Sequence, residues 1–398
     1  MNVTSGVANY IVAYNETEKF YFIQGVQVVE VKEGWNWFSH YRNSDVLGQL
    51  ESNLKENGGN IIKAQVEFRT LVNGEWVGDL EGTTPAQMYM INNTNDVEIN
   101  IEGEVVNPAD YPIGFHRLWN WIGYPLTEEL SVSQALNGYQ ATEGDIIKSH
   151  NGSFSTYIKD YGWTNGLNKM EPGKGYMYYS YRTDNDIVNF AFSYPRSKEA
   201  VEANVTPANN YWVPNTSAFA GNLSVMAVLN VDGNEMKEGF EVAAFVNGEV
   251  RGSARPTYVE AIDRYVLFLS VCGENGEEVT FKYVDMYSEE EYTIDNKVVY
   301  EDNAIIGSVR DLYVLTLNTM GIDENGYGTI SLYPNPTTTN TAISFETVCD
   351  MVEVFNSLGA KVAEYSNVDR IDGMEAAGVY VIRVTNGSTV QNSRLIVK

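Results

Sequence analysis

Among the side chains with acid–base, nucleophilic or metal-binding chemistry in this sequence are three histidines, two cysteines and a large excess of carboxylates. His40, His116 and His150 show no His-x-x-x-His spacing and no Glu-rich partner, so they read as turn or surface residues and not as a zinc site. A Cys-His nucleophile pair would need Cys272, which ends an apolar run, or Cys349, which lies in another segment; both read as structural. There is no Gly-x-Ser-x-Gly elbow, and Gly173-Lys174-Gly175 reads as a hairpin turn, without the remaining spacing of a phosphate loop. With 53 Asp and Glu against 26 Lys and Arg, any pairing of carboxylates is uninformative about a glycosidase dyad. Asp184-Asn185-Asp186 and Asp232-Gly233-Asn234-Glu235 are oxygen-rich turns. Neither completes a known calcium loop, so no cofactor is expected, with calcium the one ion left open.

The aromatic residues are the strongest functional signal. Trp35 and Trp37 fall on one strand face, as do Trp119 and Trp121, and their repetition reads as architecture. Tyr176 with Tyr178, and Tyr179 with Tyr181, place rings on both faces of one strand, so one set is expected to be exposed. Trp76 and Trp163 lie beside expected hairpin turns, where flat rings stack on sugar faces or anchor peptides. The expected ligand platform is therefore Trp163 with Tyr179 and Tyr181, with Trp76 as the equivalent tryptophan of an earlier copy. Aligning Tyr89 with Tyr176 sets Asn92 opposite Tyr179 and Thr94 opposite Tyr181, so the extra rings belong to the second copy.

That pairing of positions comes from a duplication. Gly34-Trp35-Asn36-Trp37 returns 84 positions on as Leu118-Trp119-Asn120-Trp121. Gly59–Ala64 matches Gly144–Ser149, Trp76–Leu80 matches Trp163–Leu167, and Pro85–Met90 matches Pro172–Met177, with offsets drifting only from 84 to 87. One helix is expected per copy. Val46, Leu47, Leu50 and Leu54 recur at helical steps, with Ser44 as the expected N-cap and Gly58 beyond the end; Ser131 and Gln134 have capping-box spacing. The unit resembles the Trp-Asn-Trp repeats of secreted bacterial surface proteins.

Residues 195–210 and 319–328 read as linkers. Between them, alternating runs such as Leu223–Leu229, Glu241–Val246, Tyr265–Val271 and Glu278–Tyr283 are separated by Asp232-Gly233, Asn247-Gly248 and Asn275-Gly276, the pattern of a β-sandwich. Gly239–Gly252 resembles non-catalytic modules that precede sorting domains. The last segment opens on Tyr333-Pro334-Asn335-Pro336, extended because each proline fixes its own φ and restricts its predecessor. It turns at Gly359, restarts at Gly378 with Tyr380 two residues on, and ends at Lys398. These elements, in this order and flush with the terminus, resemble the C-terminal sorting domain of type IX secretion cargo of the Bacteroidetes. The resemblance implies secretion to the extracellular space or outer-membrane surface, with the type IX machinery and its sortase-like peptidase as partners.

The expected architecture is all-β, mainly β with short helices: tandem β-rich repeats followed by two small β-sandwich domains. The expected boundaries are 1–103, 104–198, 205–318 and 322–398. Met1–Gly6 lacks a charged region followed by an apolar one, so a mature chain or part of a longer parent is expected. No apolar run approaches membrane-spanning length, and a net charge of −27 argues against nucleic acid. The function expected is surface binding or adhesion without catalysis, toward a glycan or protein ligand. The alternative is an accessory C-terminal region of a secreted peptidase or glycosidase whose catalytic domain lies elsewhere.

Overall fold

The structure is a computed structural model that describes residues 9–15, 20–195, 210–318, 332–357, 359–387 and 389–398. The fold is all-β with short helices. The linkers expected at 195–210 and 319–328 lie, except for their edge residues 195 and 210, outside the described residues, as do Met1–Gly6. The chain divides into two units, Met1–Leu317 and Asn318–Lys398.

In the first unit, two five-stranded sheets have the same strand order. One runs Gly34–Phe38, Tyr89–Asn93, Ile61–Lys63, Phe68–Val72, Glu75–Gly78, and the other Leu118–Gly123, Gly175–Ser180, Ile146–Ser149, Phe154–Ile158, Gly162–Trp163. Register matches as well: Trp37 lies opposite Met90 and Trp121 opposite Met177. In each sheet the asparagine between the tryptophans ties down the preceding turn. Asn36 accepts from the Lys32 amide and donates to the Lys32 and Gly34 carbonyls, and Asn120 does the same with His116 and Leu118.

The helix Val46–Asn57 covers the outer face of the first sheet with Val46, Leu47, Leu50 and Leu54. Its N-cap is Asp45, whose carboxylate accepts from the Gly48 amide at 3.0 Å, and not the expected Ser44, whose hydroxyl is drawn away to the Glu102 carbonyl. Gly58 ends it at φ 88°, a left-handed position where an added Cβ would also strike Thr94 Oγ1. The second helix is a single turn, Val132–Ala135, with a complete Ser131–Gln134 capping box.

The two sheets meet through a pair of equivalent contacts. Phe38 bridges Lys174 while Gln87 bridges Ile122, and the Ser39 amide bonds the Gly173 carbonyl while the Gly123 amide bonds that of Ala86. Trp35, Trp37, Trp119 and Trp121 fill this junction with Met88, Met90 and Met177.

Residues 210–317 pack a six-stranded sheet, centred on Asn222–Val231 and Arg264–Cys272, on a four-stranded sheet ordered Glu249–Ala254, Phe240–Val246, Glu278–Asp285, Glu291–Val299. Alternate residues meet between them, among them Leu223, Val225, Val242, Ala244, Leu269 and Phe281. Asp232-Gly233 and Asn247-Gly248 carry positive φ at both positions, as tight hairpins require; at Asn275-Gly276 only the glycine does. Inside the four-stranded sheet, the fully buried Glu241 accepts from the Tyr211 and Trp212 amides and from Arg255. A second apolar cluster joins this sandwich to the second repeat, with Ile146, Phe154 and Ile158 against Met226, Val228, Val266 and Phe268.

The second unit is one antiparallel sheet of Leu332–Tyr333, Ile343–Phe355, Lys361–Ile371, Gly378–Asn386 and Thr389–Val397. Its core includes Ile343, Val352, Val354, Ile382, Val384 and Leu395. Asn335 holds the final strand, donating to the Arg394 carbonyl and accepting from the Ile396 amide, and the Lys398 amide bonds the Thr337 carbonyl. The peptide bonds preceding Pro334 and Pro336 are both cis, and the Tyr333 ring is exposed. Gly359 closes the Asn356–Ala360 turn at φ 75°, and Tyr380, two residues after Gly378, donates its hydroxyl to the Ala376 carbonyl.

Candidate ligand-binding surface

The strand Gly175–Ser180 lies inside the second sheet, between Leu118–Gly123 and Ile146–Ser149, and its two faces enter different apolar clusters. Tyr176 and Tyr178 enter the core of the repeat, where Tyr178 meets Phe115 and Tyr139 edge-on. Met177 and Tyr179 face the other way, Met177 into the tryptophan junction and Tyr179 toward the sandwich. Of the two sets of rings, Tyr176 and Tyr178 are buried, Tyr179 is half-buried and Tyr181 is exposed. A sheet with partners on both faces can hide both sets, and only the strand's end emerges.

Asp145 shapes that end. Its buried carboxylate accepts from the Tyr178 hydroxyl at 2.6 Å, from the Thr142 amide at 2.9 Å and from the Tyr181 amide at 2.7 Å. Burial pushes the Asp145 carboxyl above its ordinary range in spite of these donors, and burial likewise pushes the Tyr178 phenol well up. By holding the Tyr181 amide, Asp145 turns the chain outward just past the sheet. The Tyr181 ring, 41% exposed, lies against Gly144 and meets Tyr179 edge-on at 4.7 Å; Tyr179 in turn meets Trp119 at 5.0 Å.

An open cleft of about 260 Å³ lies here, lined by Arg117, Leu118, Tyr179, Ser180, Tyr181, Arg182 and Thr183. Leu118 has φ 70°, unusual for a bulky residue, and the Asn120 side chain holds its carbonyl at 2.9 Å. This backbone turn sets Arg117 beside the tyrosines. Arg182 is held by Asp184 at 2.8 Å, while Arg117 is exposed. Two guanidinium groups next to two phenol rings can take a ligand that offers both an apolar face and an anionic group.

The three rings of the expected platform do not lie together. Tyr179 and Tyr181 line the cleft, but Trp163 lies on the opposite side of the sheet against Tyr178 and Tyr157. Strand alternation is the reason, since Trp163 rests on the face that carries Tyr178 and not Tyr179. Trp76 packs on the core of the first repeat and donates its indole N–H to the Glu51 carbonyl at 3.0 Å. Arg117 and Arg182 were not legible as partners, because only the register of Leu118 against Ser180 brings them together.

The histidines also differ from expectation. His40 is buried with Nδ1 on the Arg42 carbonyl, His150 stacks on Trp37 at 5.2 Å with Nε2 on the Phe219 carbonyl, and only His116 is exposed. Burial lowers His40 to about 4 and raises the Cys272 thiol to about 11. Asp184 is engaged by Arg182 and the Asp186 amide, and Glu235 by Arg264. Among the described residues, no three His, Cys, Asp or Glu side chains cluster as a metal site would require, and no helix is long and apolar enough to cross a membrane.

Residues 331–398 match the Secretion system C-terminal sorting domain family, so the chain carries a type IX sorting tail, the mark of a secreted protein. A stretch of 96 residues is 31% identical to ulvan lyase NLR42 of Nonlabens ulvanivorans, covering 22% of this chain and 18% of the lyase. The chain thus spans under a fifth of the length of that curated relative. Among solved structures, domains 3–5 of Drosophila OTK are 7% identical with a TM-score of 0.14, over 45% of this chain and 65% of that one. The N-terminal four immunoglobulin domains of Dscam1 isoform 7.44 are 9% identical with a TM-score of 0.12, over 45% and 51%. Likenesses this slight carry no argument.

Proposed function

We propose that this secreted protein is a non-catalytic, surface-displayed binding protein, and that the cleft beside Tyr179 and Tyr181 takes a glycan bearing carboxylate or sulfate groups. The observation that carries the reading is the convergence of Tyr179, Tyr181, Arg117 and Arg182 on one open cleft. Rings that stack on a sugar face contribute on the order of 1 kcal/mol each, and charge-assisted hydrogen bonds from arginine add to that. In this reading the two Trp-Asn-Trp units are duplicated scaffold modules, with divisions near residues 103, 198 and 318, and Trp76 and Trp163 serve that scaffold. Tyr333, Pro334, Asn335, Pro336, Gly359, Gly378, Tyr380 and Lys398 form the pattern offered to the secretion machinery and its sortase-like peptidase. No cofactor is needed for such binding.

The test is affinity electrophoresis through gels carrying a uronate-rich or sulfated polysaccharide, with a neutral polysaccharide as control. Arg117→Ala and Tyr181→Ala should each weaken binding to the acidic polymer by about tenfold, the equivalent of about 1.4 kcal/mol. Both side chains are exposed, so the melting temperature should hold. Retardation that is the same for both polymers, or unchanged in both variants, would sink the assignment. A second reading, an accessory region of a longer secreted polysaccharide-cleaving enzyme, is favoured by the partial match to a lyase.

A further inference from the structure

Lys148 is the one described lysine that is fully buried, on the inner strand Ile146–Ser149 of the second repeat. Its Nζ donates to the Asn222 carbonyl at 2.6 Å and to Asn303 Oδ1 at 3.0 Å, both on the sandwich, and the Trp119 ring centre lies 4.4 Å away. Among the described residues no carboxylate stands within ion-pair distance of Nζ; Asp302 attracts an ammonium there only from farther off, so the charge would lack a direct counter-ion. Burial pushes the Lys148 ammonium down to about 7, toward the neutral amine, which is the nucleophilic form. The Asn303 amide nitrogen in turn donates to Asp302 Oδ2 at 3.2 Å. Gly221 leaves the space this carboxylate occupies, since a Cβ there would lie 2.0 Å from Asp302 Oδ1.

We propose that Lys148 and Asn303 condense into an intramolecular isopeptide bond that ties the second repeat to the sandwich, with Asp302 as the proton carrier. Rotation about the last C–N bond of Lys148 turns the donated N–H away from Oδ1 and brings the amine lone pair round to the adjoining Cγ. Nζ attacks Cγ, and the amide oxygen takes the displaced electron pair. Bond formation carries Nζ onto the carbon that bears Nδ2, and there it comes within reach of the Asp302 carboxylate, which accepts one proton from Nζ and passes it to Nδ2, the atom it already contacts. The Cγ–Nδ2 bond then breaks and the carbonyl reforms, so that one amine and one primary amide become one secondary amide and one ammonia. No oxidant or reductant is involved. The product keeps a single N–H on Nζ, and the Asn222 carbonyl is in place to accept it.

The decisive measurement is the intact mass of the purified full chain, followed by peptide mapping. The expected mass is one ammonia below the sequence mass, with Lys148 resistant to trypsin and its peptide recovered as a branched pair with the peptide carrying Asn303. Asp302→Ala, which leaves both reacting groups in place, should restore the full mass and the linear peptides, as should Asn303→Ala. A wild-type chain of full mass with only linear peptides overturns the proposal. So does a chain short by one ammonia in which trypsin still cuts after Lys148, because the loss would then come from succinimide formation.

Discussion

Trp37 donates its indole N–H to the backbone carbonyl of Ala220, 2.8 Å away and 183 positions later in the chain. The first tryptophan motif thus reaches past its own repeat to the segment that enters the sandwich, with His150 of the second repeat stacked on the same ring. Three parts of the first unit converge on one side chain.

Trp37→Ala should accordingly destabilise the first unit by about 3–5 kcal/mol, through the lost burial and the space left behind. Trp37→Phe keeps most of the packing and should cost about 1 kcal/mol for the lost hydrogen bond. Denaturant titration of the full chain, followed by tryptophan fluorescence, distinguishes the two. Equal, small effects for both variants would mean that the junction does not bear on stability.

Asn120→Ala should cost about 1–3 kcal/mol, because it strands the His116 amide and carbonyl and the Leu118 carbonyl. Asn120→Asp should be worse, since it sets an oxygen where Nδ2 now donates to three carbonyls, including that of Tyr178 at 3.4 Å. As Asn120 also holds the Leu118 turn, both variants should weaken acidic-glycan binding, which Asn36→Ala should not. Thermal melts beside the gel-retardation assay read both effects.

Acid should destabilise the first unit over a defined range. Buried His40 is depressed from 6.5 to about 4, so below pH 6.5 the unfolded chain binds a proton that the folded chain refuses. Stability is fully present above pH 6.5 and falls as pH drops through about 4, by ~3 kcal/mol from this group. His150, also lowered by burial, acts in the same direction, while the raised Asp145 carboxyl opposes them at the acid end. Melting curves from pH 7.5 to 4 should show a smaller decline for His40→Gln than for wild type. Parallel declines would count against the assignment.

Removing residues 331–398 in a type IX-competent host should leave the protein in the periplasm. Fractionation followed by immunoblotting reads this directly. Surface display or release of the shortened chain would show that export does not depend on this segment.

The strand pattern was legible because alternation and turn chemistry are local. Asn247-Gly248 specifies its hairpin on its own, and the repeated Trp-Asn-Trp spacing marks equivalent strands. The helix cap was misplaced by one residue because the competitor for Ser44, the Glu102 carbonyl, lies 58 positions away. The ligand platform was half legible. Tyr179 and Tyr181 carry a local signal, but what separates Trp163 from them is which face of a two-sided sheet each ring meets. Lys148 gave no signal at all, since Asn222 and Asn303 reach it only through the packing of two different sheets.

The paired contacts between the two repeats, Phe38 with Lys174 and Gln87 with Ile122, have the self-complementary form of a twofold dimer. Carried on one polypeptide, such a dimer has no dissociation constant to satisfy and assembles at any dilution, as suits a secreted protein. Its halves are also freed from identity. A symmetric dimer must accept every substitution twice, whereas here one half has Asn92 opposite its tryptophan where the other has Tyr179, so a single asymmetric cleft sits on a near-symmetric frame.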